Sequence, residues 1–246
     1  EVYGKVIALN TDPIEKKPLY HYFPGKQILS VGSIGCNFKC KFCQNYDISH
    51  PGPEKFNKMH DISSESIIDL AKKGRSFGIA YTYNEPAVWY EYMIDIAEIS
   101  HTKGLKNVVV SNGFINEKPL SELVKVIDAF NIDLKSFEDD FYRKYVSGKV
   151  EPVLACLEKI KKSGCHLEIT NLVIPGLNDD PDVFQKMLNW ISENLGKNTV
   201  LHLSRYFPAF KLNIESTPIK TLLSLYEIAK TNLDHVYLGN CNTDKG

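Results

Sequence analysis

The feature of this chain that most restricts its fold is a repeated alternation of short apolar runs with longer amphipathic segments. The apolar runs are rich in Val, Ile, Leu and Tyr and lie at residues 27–34, 79–83, 107–110, 130–134, 167–174, 200–206 and 236–238. Segments with apolar residues at helical spacing begin near Ser64, Pro86, Pro119, Glu138, Glu151, Pro181 and Thr217. Nearly continuous apolar runs are typical of parallel strands buried on both faces. The alternation therefore predicts an α/β fold, a partial (β/α) barrel of mainly parallel strands with right-handed crossovers.

The remaining organisation of the chain fits one unit of this kind. Its 246 residues match the length of a single barrel of strands and helices, roughly 250 residues. Residues 1 to about 24 form a strand-rich lead before the first long apolar run. Glycines lie where four predicted helices would end, at Gly74, Gly104, Gly164 and Gly196. We expect a single domain over residues 1–246, with residues 1–24 as an N-terminal extension.

Charge and hydropathy exclude several classes of partner. The formal net charge is -1, which gives neither the broad basic field of a nucleic-acid-binding protein nor a polybasic membrane anchor. No apolar run is as long as a membrane span, and the first residues lack the basic and apolar regions of a signal peptide. We expect a soluble, cytoplasmic protein whose substrate is a small molecule or another protein.

Polar residues follow the ends of the predicted strands, where barrel active sites gather. After the first apolar run come Cys36, Cys40 and Cys43, and after later runs come Asn84, Glu85, Ser111, Asn112, Asp133, Lys135, Asn171, His202 and Arg205. Because the carboxyl ends of parallel strands meet at one edge of a sheet, we expect these side chains to converge on one cavity.

Three of the six cysteines are crowded into eight residues, Cys36, Cys40 and Cys43. Soft thiolate ligands select iron-sulfur clusters or zinc, and a purely structural site usually has four protein ligands. A local set of three leaves one exchangeable position, which is what a catalytic metal centre requires. Two alternatives stay open: a zinc site completed by His50 or Cys241, and three unrelated buried thiols.

The spacing Cys36-x-x-x-Cys40-x-Phe42-Cys43 resembles the cluster signature of radical S-adenosylmethionine (SAM) enzymes. The flanking stretches 31–36 and 43–49 are similar to those of the AmmeMemoRadiSam system radical SAM enzymes, relatives of the pyruvate formate-lyase activating enzymes. The resemblance covers nearly the whole chain. It implies a 4Fe-4S cluster on the three cysteines, with SAM chelating the open iron through its amino and carboxylate groups. It also implies reductive cleavage of SAM to methionine and a 5'-deoxyadenosyl radical.

The resemblance also assigns a role to Glu85. The stretch 81–86 occupies the place of a Gly-Gly-Glu-type motif, so Asn84 and Glu85 are expected beside the SAM amino group, with Glu85 accepting its hydrogen bond. The alternative is structural, because an acidic side chain before Pro86 is favourable at the start of a helix.

Two further motifs are implied to contact the methionine carboxylate and the ribose of SAM. Ser111 and Asn112 resemble part of a Thr-Asn-Gly stretch, and Asp133 and Lys135 match an Asp-Leu-Lys motif. The structural alternative for the last two is a mutual ion pair across the barrel mouth, since lone buried charges are costly. Val110 stands where the activating enzymes carry an acid of a monovalent-cation site, and its side chain offers no oxygen ligand.

The other candidate residues lie on the adenine and substrate side. Phe42 is expected near adenine, and Asn171 is expected near ribose. His202 and Arg205 fit the adenine and substrate side, although His202 is equally a candidate for a satisfied core histidine. A planar donor fork such as that of Arg205 suits a carboxylate, a phosphate or a peptide carbonyl.

Three functions remain open at this point. The radical could abstract hydrogen from a small molecule, alongside the companion proteins of the AmmeMemo system. It could instead activate a glycyl-radical enzyme, a protein partner. Either reaction needs an electron donor such as flavodoxin or ferredoxin. The third function is non-enzymatic, an iron-sulfur or zinc-binding protein with a fully ligated centre.

Overall fold

The predicted apolar runs form a mainly parallel sheet that confirms the α/β partial-barrel fold. The computed structural model describes residues 2–242. Their strands are β1 (Lys5–Val6), β2 (Ala8–Pro13), β3 (Gln27–Gly32), β4 (His60–Asp61), β5 (Gly78–Tyr81), β6 (Lys106–Ser111), β7 (Ala129–Asp133), β8 (His166–Val173), β9 (Val200–Arg205) and β10 (Val236–Gly239). Within this range, eight strands form one sheet in the order β10-β9-β8-β7-β6-β5-β3-β2. Seven of them run parallel, and β2 pairs antiparallel with β3 at one edge.

The helices connect successive strands, close to their predicted starts. They are α1 (Tyr46–Ser49), α2 (Pro53–Phe56), α3 (Ser64–Lys73), α4 (Tyr90–Thr102), α5 (Glu117–Val126), α6 (Asp139–Phe141), α7 (Glu151–Ser163), α8 (Pro181–Asn194) and α9 (Ile219–Asn232). The segment predicted to start at Pro86 begins with a 3₁₀ turn, Pro86–Trp89, and becomes α4 at Tyr90. Helices crossing a membrane need a length and apolar character that none of those in residues 2–242 has.

Side chains alternate between the two faces of the sheet, and this alternation decides which of them reach the barrel interior. On β8, Ile169 and Val173 are completely buried in the main apolar core. Thr170 and Leu172, the residues between and beside them, line a cavity instead. Because successive residues of a strand point to opposite faces, a shift of one residue moves a side chain from cavity to core.

The N-terminal segment is built into the barrel. Residues 14–26 connect β2 to β3, and their Ile14 and Leu19 are completely buried. These two side chains form a second apolar cluster with one residue from each of four strands, Ile28, Ala80, Val108 and Ala129. Ile14 and Leu19 therefore anchor the segment against four strands of the sheet.

Candidate active site

A cavity of about 340 Å³ brings most of the predicted site residues together. Ten of them line it: Cys36, Cys40, Phe42, Cys43, Asn84, Glu85, Ser111, Asn112, Asp133 and Lys135. They come from loops and strand ends on four neighbouring strands, β3, β5, β6 and β7. Parallel strands thus place residues that are a hundred positions apart in the sequence around one space.

The three clustered cysteines lie in the loop between β3 and α1. Cys40 is buried, and Cys36 and Cys43 are half-buried. The backbone N–H groups of Lys39 and Lys41 donate to the carbonyls of Val146 and Tyr145, at 2.8 and 2.9 Å. Two backbone bonds therefore fix the loop against a single π-helical turn, Tyr142–Val146.

Two of these thiols are protonated at neutral pH when no metal is bound. Burial, assisted by the charge of Glu85, raises the pKa of Cys36 to about 12. Burial also raises the pKa of Cys40 to about 11, against the opposing charge of Lys135. Metal binding displaces the protons of its cysteine ligands, and soft metals prefer thiolates.

The three sulfurs are not grouped around one ion position. Among residues 2–242, no set of three His, Cys, Asp or Glu side chains has the arrangement of a single-metal site. A zinc ion needs its thiolates at about 2.3 Å, whereas an iron-sulfur cluster spreads its ligands over several irons.

Glu85 makes the helix-start contact considered as its structural alternative, and it also faces the cavity. Its buried carboxylate faces the cavity and accepts hydrogen bonds from Ala87 N at 3.0 Å, Ser111 Oγ at 2.8 Å and Asn112 N at 2.9 Å. Burial raises its pKa, and the two backbone donors and Ser111 oppose that shift. The bond to Ala87 is the helix-start interaction expected from the structural alternative. The other two bonds join the ends of β5 and β6.

Two asparagine side chains position the first cysteine. Asn84 accepts from Ser33 N at 3.0 Å and donates to the Gly35 carbonyl at 2.9 Å. The amide nitrogen of Asn112 lies 2.7 Å from Asn37 Oδ1 and 3.7 Å from the sulfur of Cys36. Both amides thus act mainly on the loop that precedes and contains Cys36.

Asp133 and Lys135 form the ion pair considered as their structural alternative, with Nζ to Oδ2 at 3.1 Å. Burial by itself lowers the pKa of Lys135, but the charges of Asp133 and of the Cys40 sulfur outweigh it and raise the pKa. The ring of Phe42 is buried in the same wall, with Lys135 Nζ 6.0 Å from its centroid. The pair lines the cavity, so pairing does not remove it from the site.

Three predicted residues lie outside this cavity, and Asn171 is the first. Its amide donates to the Leu134 carbonyl at 2.7 Å and contacts the sulfur of Met187 on α8. The side chain therefore points to the helix side of β8, and its neighbours Thr170 and Leu172 face the cavity. Asn171 therefore does not line the cavity, contrary to the expectation that it lies near ribose, because the strand turns its side chain to the other face.

His202 and Arg205 are engaged elsewhere. His202 is buried, and its Nε2 lies 2.6 Å from Glu168 Oε2, which makes it the satisfied core histidine considered above. Arg205 donates from Nε to the Thr217 carbonyl at 2.8 Å, and its guanidinium stacks 4.9 Å from the Phe207 ring. Between them on β9, Ser204 lines the cavity instead.

The structure adds cavity residues that sequence reasoning missed. The main ones are Lys16, Lys17, Tyr83, Thr170, Ser204 and Asn240, and Val110 also faces the space. Ser204 and Thr170 follow from period-two alternation once one inward residue of each strand is known. Lys16 and Lys17 enter from the N-terminal segment, which no strand-end argument covers.

A family profile and two relatives match this chain. Residues 31–189 match the family profile described as Radical SAM superfamily. The chain is 41% identical over 246 residues to a Methanocaldococcus jannaschii protein named "Uncharacterized protein MJ0808", covering 99% of this chain and 73% of that protein. It is 23% identical over 167 residues to the pyruvate formate-lyase-activating enzyme of Clostridium pasteurianum, covering 64% of this chain and 66% of that enzyme.

A solved structure shares the fold. The crystal structure of Streptococcus suis SuiB bound to S-adenosylmethionine superimposes with a TM-score of 0.68 at 12% identity, over 87% of this chain and 52% of SuiB. The chain thus spans about half of SuiB and about two thirds of the activating enzyme. At this identity the likeness to SuiB concerns the fold.

Proposed function

Because the chain belongs to the radical SAM superfamily, we propose that it holds a 4Fe-4S cluster on Cys36, Cys40 and Cys43 and reductively cleaves SAM. One observation carries the proposal: these three thiols share a cavity with the strand-end residues Glu85 and Asp133. When bound, the cluster supplies the electron that splits the sulfonium of SAM into methionine and a 5'-deoxyadenosyl radical. That radical would serve to abstract a hydrogen atom from a substrate, giving 5'-deoxyadenosine and a substrate radical.

The chain's own residues fit the task of binding SAM. A carboxylate has about four acceptor positions, and Glu85 uses three of them, so one remains for the SAM amino group. Lys135 has three donors and uses one of them on Asp133, which leaves it able to bind a carboxylate. Ser111, Asn112 and Phe42 complete the proposed SAM wall. Asn84 acts through the loop before Cys36.

The barrel also excludes water from below. Ile14 and Leu19 are completely buried in an apolar cluster inside the barrel, and Glu168 and His202 are buried beneath the cavity. Exclusion of water strengthens hydrogen bonds and ion pairs inside a site and protects a reactive radical from side reactions.

For the target of the radical, we propose a class of substrate and not a particular molecule. We favour hydrogen abstraction from a substrate held in this cavity, as a member of the AmmeMemoRadiSam branch. The match to an enzyme named for pyruvate formate-lyase activation favours a second candidate, glycyl-radical activation of a protein partner. Both candidates assume a single domain in a reducing cytoplasm, with flavodoxin or ferredoxin as the electron donor.

An anaerobic turnover assay tests the proposal. The chain is reconstituted with iron and sulfide, reduced with dithionite, mixed with SAM and analysed for 5'-deoxyadenosine. We expect product from the wild type and from Cys165→Ala, whose sulfur contacts the Val124 and Ile127 carbonyls away from the cavity. We expect none from Cys40→Ala. Product from Cys40→Ala, a zinc centre, or a cluster spectrum that SAM leaves unchanged would each reject the proposal.

A further inference from the structure

Two lysines from the N-terminal segment form a charged wall of the cavity. Lys16 and Lys17 both line it. The side chain of Lys17 is 4% exposed, and that of Lys16 is 67% exposed. Each ammonium contacts a different oxygen of one carboxylate, since Asp12 Oδ1 lies 3.1 Å from Lys16 Nζ and Oδ2 lies 3.0 Å from Lys17 Nζ.

This wall carries more positive than negative charge. Asp12 provides one negative charge for two ammonium groups, and its pKa is about 2 because the two lysines and Tyr83 outweigh the opposing effect of burial. Asp12 Oδ2 also accepts from Ser30 Oγ at 3.2 Å and from the Tyr83 hydroxyl at 3.0 Å. The carboxylate is thus fully engaged, and with both lysines protonated the three groups have a net charge of +1. Burial lowers the pKa of Lys17, and the contact with Asp12 opposes that shift.

The lysines keep unused hydrogen-bond donors. An ammonium has three N–H bonds. Lys17 makes one hydrogen bond, to Asp12, and lies 4.8 Å from the centroid of the Tyr83 ring. Burying an ammonium is costly unless its charge and donors are matched, so a second anion in the cavity is favourable for Lys17.

Neutral donors and acceptors lie across the cavity. Ser204 lies near the end of β9, and Asn240 follows β10, the edge strand at the other end of the sheet from β2. Asn240 Nδ2 donates to Ser204 Oγ at 2.9 Å. The cavity therefore extends beyond the cysteine loop to both edges of the described sheet. SAM does not suit the lysine wall, because its sulfonium and amino groups outnumber its single carboxylate.

We propose that Lys16 and Lys17 bind an anionic group, a carboxylate or a phosphate, of a substrate that enters beside SAM. The inference rests on the proposed function, because it names the substrate class of the same cavity. Lys17 binds the anion in the interior, and Lys16 binds it at the solvent side. Asp12 holds the two ammonium groups together.

Calorimetric titration of the reconstituted holoenzyme, saturated with SAM at constant ionic strength, tests the proposal. The probes are inorganic phosphate and succinate, with succinamide as the uncharged comparison. We expect the wild type to bind both anions and to ignore succinamide. Lys16→Met and Lys17→Met should each weaken anion binding about tenfold or more, the effect of losing one charge-assisted hydrogen bond. Lys72→Met, an exposed lysine of α3, should bind like the wild type.

Lys17→Met leaves Asp12 without its buried partner and can fail to fold. Lys16→Met keeps the Asp12–Lys17 pair, so it carries the test alone in that case. Three results would overturn the proposal: no anion binding by the wild type, equal binding by wild type and Lys16→Met, or an equal loss of SAM affinity in Lys16→Met. Failure of the proposed function is distinct, since it appears as wild-type protein that binds phosphate and forms no 5'-deoxyadenosine.

Discussion

The side-chain amide of Asn112 lies 3.7 Å from the sulfur of Cys36, so the end of β6 donates a hydrogen bond to the first cysteine of the β3 loop. The same amide is 2.7 Å from Asn37 Oδ1, which fixes its direction. Hydrogen bonds to cluster sulfurs are among the factors that set reduction potential. A donor at this position favours the reduced, more negative state of a cluster held by Cys36.

We therefore expect Asn112→Ala to make the cluster harder to reduce. One hydrogen bond contributes about 0.5–1.5 kcal/mol, which for a one-electron couple is a shift of roughly 20–60 mV to more negative potential. The measurement is a redox titration followed by electron paramagnetic resonance. Asn37→Ala is the matched comparison, because it disturbs the same loop contact but keeps the Asn112 side chain. A shift of equal size and sign in both variants would show that loop disruption, not the bond to sulfur, sets the potential.

Gly148 makes a close approach to the cysteine loop. A Cβ at this position would lie 2.4 Å from the ring of Phe38, which is buried between Cys36 and Cys40. We expect Gly148→Ala to displace Phe38 and to lower the iron bound per chain, with a destabilisation of about 1–3 kcal/mol from overpacking. Iron analysis after reconstitution and urea unfolding measure the two effects.

Gly239→Ala is the control for Gly148→Ala. Its added Cβ meets only ordinary contacts, the nearest being Ser204 Oγ at 3.6 Å. We expect iron content close to that of the wild type. Full iron content in Gly148→Ala as well would mean that the loop tolerates movement of Phe38.

The strands and the position of the site were predictable because a parallel sheet leaves a recognisable pattern in the sequence for each. Buried runs of Val, Ile and Leu mark the strands, and polar residues such as Glu85 and Asp133 directly follow them. The carboxyl ends of parallel strands share one edge, so convergence follows from topology alone. The strand-end argument and the cysteine spacing together predicted every converging site residue except Phe42, which came from the resemblance.

The facing of individual strand residues was not predictable in the same way. A strand buried on both sides has no polar face, so the sequence around Asn171 does not show whether Asn171 or Thr170 points inward. His202 points inward, but to Glu168, one layer below the cavity residue Ser204. The position of Lys17 in the cavity depends on the course of residues 14–26, and this segment has no periodic pattern from which to predict it.

Glu85→Gln separates positioning from SAM binding. The carboxylate oxygens accept from Ala87 N, Ser111 Oγ and Asn112 N, and a glutamine NH₂ group would face at least one of these donors. We expect a loss of about 1–3 kcal/mol in the free energy of unfolding, the cost of leaving a buried donor unpaired. We also expect SAM affinity to fall by about tenfold or more from the lost charge-assisted bond. Urea unfolding and equilibrium SAM binding measure the two.

Ser111→Ala is the comparison for Glu85→Gln, since it removes one donor and keeps the carboxylate charge. It should cost stability and affect SAM affinity less than Glu85→Gln does. Unchanged SAM affinity in Glu85→Gln would assign Glu85 to the structural alternative alone.

Glu168 makes the stability of the barrel depend on pH. Its completely buried carboxylate accepts from Tyr20 N and His21 N of the N-terminal segment, at 3.0 and 2.8 Å, and pairs with His166 and His202. Burial alone would raise its pKa, but the bonds from His166, His202 and the backbone outweigh it and lower the pKa to about 2. Because its pKa is lowered, the carboxylate stabilises the folded chain at any pH above the ordinary pKa of a glutamate. This stabilisation is lost as the pH falls toward 2.

We expect Glu168→Gln to lower the free energy of unfolding by about 3 kcal/mol at pH 6, because a buried charge network loses one partner. Between pH 6 and pH 3 the unfolded wild type binds a proton that folded Glu168 does not, which costs the wild type roughly 2 kcal/mol. The difference in unfolding free energy between wild type and Glu168→Gln should therefore be smaller by that amount at pH 3 than at pH 6. The control is Glu193→Gln, at an exposed position on α8, which should match the wild type at both pH values. Urea unfolding followed by circular dichroism measures each difference. A difference that stays constant from pH 6 to pH 3 would mean that Glu168 titrates alike in the folded and unfolded chain, and that its four contacts do not favour the ionised form.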